Sequence, residues 1–115
     1  MPSVDTTHLI TAVERLADRL RALPQSRLTR GAAQEGLTLA QDLAYRAQRL
    51  EFAGGGPGGG EPRTLPDAGI FAVGDQLAVA GHDLAQALAG APFAGAAGEL
   101  EEALAEVRAA DARIH

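Results

Sequence analysis

HLITAVERLADRLRAL, residues 8–23, is the stretch on which the fold turns. Leu9, Val13, Leu16, Leu20 and Leu23 recur at steps of four, three, four and three. An α-helix turns once in 3.6 residues, so this spacing lays all five on one side of a rod; a strand would need alternation instead. The pattern returns in IFAVGDQLAVAGHDLAQAL, residues 70–88, through Ile70, Val73, Leu77, Ala80, Leu84 and Leu88. Two further stripes follow the same rule. Leu28, Ala32, Gly36, Leu39, Leu43, Ala47 and Leu50 mark a helix over 27–52, and Leu100, Leu104, Val107 and Ile114 one over 96–114. Four apolar stripes have to cover one another. The expected fold is therefore all-α: a four-helix bundle built from two antiparallel helical hairpins joined by a Gly-rich linker.

Composition points the same way. Ala and Leu make up 40 of the 53 apolar residues and the aromatics only four, so pleated surfaces lack the bulk they pack with. Ala and Leu are also the residues a helix accommodates at least cost. Cysteine is absent, which excludes disulfides, thiolate nucleophiles and zinc–thiolate sites. No basic and apolar leader opens the chain, and Asp75, Gln76, His82 and Asp83 interrupt its most hydrophobic stretch. The expectation is a cytoplasmic protein with no membrane span.

Turn residues set the boundaries. Asp5, Thr6 or Thr7 can cap the first helix, and Pro24 ends it by disfavouring helix at Leu23. The short Leu-Pro-Gln-Ser link makes helices one and two an antiparallel pair, hairpin 5–52. Residues 53–65 hold six Gly and two Pro around GGGPGGG. This is flexible linker, with a typical end-to-end distance of about 20 Å. A phosphate-binding loop would need a preceding strand and a Gly-Lys-Ser/Thr ending, and has neither. Hairpin 66–114 follows, its first helix opening near Pro66 and Asp67. The whole, 1–115, reads as a single domain.

Surfaces are more informative than motifs. Gly36 on the second helix, and Gly74, Ala78, Gly81 and Ala85 along the flank of the third, form small-residue rows that let another helix approach closely. Tyr45, Phe52, Phe71, Val79 and Phe93 are the candidates for contact with a partner. Arg15, Arg19, Arg21, Arg27 and Arg30 crowd the first hairpin corner. They are the candidate nucleic-acid residues, although a net charge of −5 repels nucleic acid overall. Asp75, His82 and Gln86 share one face with Asp83 beside them, but Asp75 and His82 stand two turns apart, about 10 Å. That separation is too wide for one metal without ligands from elsewhere, and His8 and His115 form no cluster with them. Neither Ser3 nor Ser26 sits in a nucleophile elbow. No catalytic residue, metal or cofactor is expected.

The leading expectation is a non-enzymatic helical protein–protein interaction module that self-associates, its partner being itself or another protein. The first alternative is a small DNA-associated regulator using the arginine corner. The second is a metal- or ligand-binding helical bundle.

Overall fold

The computed structural model describes residues 4–53, 68–91 and 93–114. Among them every regular element is helical. The elements are α1 (Thr7–Ala22), a single turn α2 (Gln25–Arg27), α3 (Ala33–Ala53), α4 (Val73–Ala89) and α5 (Phe93–Arg113), with a bent segment, Leu28–Ala32, leading from α2 into α3. The Gly-rich stretch and Pro66–Asp67 lie outside the described residues.

The boundaries differ from expectation at three places, each for a local reason. The second helix does not run unbroken from Arg27, because Gly31 takes φ +133°, a conformation closed to L side chains, and bends the chain ahead of α3. The third long helix begins at Val73 and not near Pro66; Gly69 at φ +97° precedes it. The last begins at Phe93, three residues early. At the start of α1 the N-cap Thr6 makes no side-chain cap bond, and Asp5, one residue before it, accepts the Thr7 N–H through Oδ1 at 2.9 Å. The Thr7 hydrogen bonds hold the Asp5 carboxyl below the ordinary aspartate range.

One end of the molecule gathers four helix termini. Gly36 near the start of α3 meets Leu20 of α1 and Val73 of α4, while Gly74 meets Ala17 and Arg21. The end of α5 joins them through Arg113–Glu35 and Arg19–Asp111. So α1 and α5 point toward this end, and α3 and α4 point away. Two positive helix ends thus stand beside two negative ones, the favourable arrangement of dipoles.

The closest packing is of α4 against α3 and α1, with α5 resting on α1 and α3. Helices α1 and α3, expected as packed neighbours, make few close backbone approaches, and α4 and α5 hardly more. The reason is the corner. Leu23 to Ala32, with its turn and its bend, is long enough for α1 and α3 to stand apart and admit α4 between them. Leu9, Val13, Leu16 and Leu20 of α1, Leu39 and Leu43 of α3, and Val73, Leu77, Leu84 and Leu88 of α4 form the core. On α5 the buried line is Ala96, Ala103, Val107 and Ala110, continued by Ile114 just beyond it, whereas Leu100 and Leu104, expected on the stripe, are half-buried.

Candidate functional site

Glycine allows the tight seam between α1 and α4. A Cβ built on Gly81 would lie 2.4 Å from Val13 Cγ1, and one on Gly74 would lie 2.9 Å from the Ala17 carbonyl oxygen. On Gly36 it would lie 2.7 Å from Val73 Cγ1 and 2.8 Å from Leu20 Cδ1. Ala85 is buried beside this seam and Ala78 half-buried. These small residues are therefore occupied by helices of the same chain.

Charges rim that seam. Arg21 donates to Asp75 Oδ1 through Nε (2.9 Å) and Nη2 (2.7 Å), and to Asp18 through Nη1 (2.8 Å). His82 Nε2 lies 3.0 Å from Glu14 Oε1. Asp75 and His82 are thus each met by a residue of α1, not by one another. Among the described residues no three carboxylate, imidazole or thiol groups stand where one metal would bring them together.

The arginine corner is divided. Arg19 caps the end of α5, donating to the Asp111 carbonyl (2.8 Å), the Asp111 carboxylate (2.5 Å) and the Ile114 carbonyl. Arg21 is held as above. Arg15, Arg27 and Arg30 have no carboxylate within ion-pair distance among the described residues. Arg27 and Arg30 line a cleft of about 530 Å³ together with Arg113 and Glu35. Arg15 lines a smaller one, about 320 Å³, with His8, Arg108 and Asp111.

A second charged centre, between α3 and α5, was not singled out by sequence reasoning. Arg46, its side chain 12% exposed, donates to Asp42 (3.0 Å), Glu99 (2.8 Å) and Glu106. Arg49 joins through Glu99, and its guanidinium stands 6.0 Å over the Tyr45 ring. Burial alone would lower the Arg46 pKa, but the hydrogen bonds it donates to Glu106, Asp42 and Glu99 outweigh it and raise it. Burial, then the facing Asp42, push Glu106 above the ordinary glutamate range despite Arg46. Asp42 goes the other way: burial opposes ionisation, yet hydrogen bonds with Glu106 and Arg46 prevail. The Asp42–Arg46 spacing of four was a visible signal; the two glutamates arrive from α5, which no local pattern announces.

The apolar candidates are distributed over the surface. Phe71 is 70%, Val79 61% and Tyr45 48% exposed. The side chains of Phe52 and Phe93 lie outside the described residues. No described helix is long and apolar enough to cross a membrane. Compared with known proteins, the chain matches no family model, no curated protein and no solved structure.

Proposed function

We propose that this chain is a cytoplasmic, non-enzymatic helical interaction module that self-associates, its four long helices closing as a four-helix bundle. The observation that carries the reading is where the packing falls. The principal contacts join α1 and α3 to α4 and α5, across the two halves of the chain, whereas the helices within each half touch sparsely. Neither hairpin, 5–52 or 66–114, buries its own stripe. Each needs the other half, and a second copy of the chain offers the same surface as the first. The Gly-rich composition of residues 53–65, between the halves, is the sequence feature that supports such an exchange. Exposed Phe71, Val79 and Tyr45 add apolar surface that a partner copy would cover. The ionisable groups that do meet serve to join helices, Arg46 most fully.

The test is mass against concentration by sedimentation equilibrium. The expected result is a species of twice 11.8 kDa that persists on dilution, as hairpin exchange requires. A mass of 11.8 kDa throughout the micromolar range ends the self-association reading.

A further inference from the structure

We propose that the cleft lined by Arg27, Arg30 and Arg113 binds a small phosphate-bearing anion. The bend at Gly31 lets residues on both sides of it line one concavity of about 530 Å³. Among the described residues, three guanidinium groups border this space against one carboxylate, Glu35. Glu35 accepts from Arg113 Nε at 3.0 Å, a bond that does not use the two terminal nitrogens of Arg113. Arg27 and Arg30 have no carboxylate within ion-pair distance among the described residues.

What sets this cleft apart is that three guanidinium groups share one concavity. With 15 acidic residues against ten arginines, carboxylates are in surplus. Arg19, Arg21, Arg46 and Arg49 each meet at least one carboxylate, whereas Arg15 and Arg108, outside this cleft, meet none among the described residues. Collecting like charges around a concave surface works against folding, and a bound anion relieves it. The planar fork of arginine suits phosphate oxygens, each guanidinium presenting two parallel N–H groups. Ala32 and Ile114 give the cleft an apolar part, so the space holds more than a bare ion.

A discrete anion fits better than a nucleic-acid backbone. Arg19 and Arg21, which a continuous basic stripe would need, are neutralised by Asp111, Asp75 and Asp18. The smaller cleft beside Arg15 is the weaker candidate, because Asp111 and the committed Arg19 both line it.

Calorimetric titration with inorganic pyrophosphate at fixed ionic strength tests the assignment. Binding at one site per chain is expected, weakened about tenfold or more in Arg27→Ala/Arg30→Ala, roughly 1.4 kcal/mol. Both positions are exposed, so circular dichroism should report unchanged helix content. The control, Arg15→Ala/Arg108→Ala, removes the same charge outside the cleft and should bind as the parent does. Absence of binding at millimolar pyrophosphate, or equal loss in both double variants, overturns the proposal. So does a DNA duplex that binds more tightly than pyrophosphate and depends on Arg19 and Arg21. The outcome is independent of oligomeric state: a monomer that binds pyrophosphate keeps this inference and loses the former one.

Discussion

The α1–α4 and α3–α5 interfaces join helices of the same chain by opposite means. Between α1 and α4 the side chains are missing: Gly81 lies against Val13 and Gly74 against the Ala17 carbonyl, with the Arg21–Asp75 ion pair and the His82–Glu14 contact at the exposed rim. Between α3 and α5 the side chains are long and charged, and Arg46 sits largely buried among three carboxylates. Gly95 and Gly98 of α5, by contrast, have open space where a Cβ would go. A glycine is thus a packing residue on one helix and only a weakness on another. What separates the two cases is the distance to the facing helix, which the glycine itself does not encode.

Removing a charge should do most damage at the polar interface. Arg46→Met leaves Asp42 and Glu106 without their cation and Glu99 with Arg49 alone, at a cost of about 3 kcal/mol. Urea denaturation at neutral pH measures it. Part of that cost should vanish as pH falls, since protonation relieves the carboxylates. The parent protein carries two opposed contributions. Glu106, raised, contributes stability that is complete below its unfolded pKa and fades as pH rises through the folded value. Asp42, lowered, contributes stability that is present above its unfolded pKa and disappears as pH falls through the folded one. A variant whose deficit stayed constant from pH 7 to about pH 4 would show that carboxylate repulsion is not its cause.

Adding one methyl group should do most at the tight interface. Gly81→Ala forces Val13 and the α1 backbone outward, costing roughly 2 kcal/mol despite the better helix propensity of alanine. The same change at Gly98 meets nothing and should raise stability by about 0.5–1 kcal/mol. Thermal denaturation of the two variants side by side gives the sharpest comparison. If both moved in the same direction, the contrast between the interfaces would be wrong.

Much of the core was legible in advance. Leu9, Val13, Leu16 and Leu20, and Leu77, Leu84 and Leu88, are buried as their spacing demands, because a helix that offers one apolar stripe has one way to hide it. The stripe of α5 was less legible. Alanine is small enough to be buried or exposed at little cost, so Ala96, Ala103 and Ala110 took the inward line and Leu100 and Leu104 moved to its edge. The arginine corner looked uniform as a sequence. It was divided by carboxylates of α4 and α5, 54 and 92 residues downstream of the arginines they meet.

Helical class, the number of long helices and most of the inward faces follow from residue spacing alone, since periodicity is a local property of the chain. Which helices touch does not. That was decided by the bend at Gly31, the widened corner before α3, and the absence of side chains at Gly74 and Gly81 just where α1 passes. Arg46 draws its glutamates from α5, and Arg27 and Arg30 meet no carboxylate among the described residues. Neighbours are chosen by close packing in three dimensions, and stripes of similar apolar residues fit many partners about equally well.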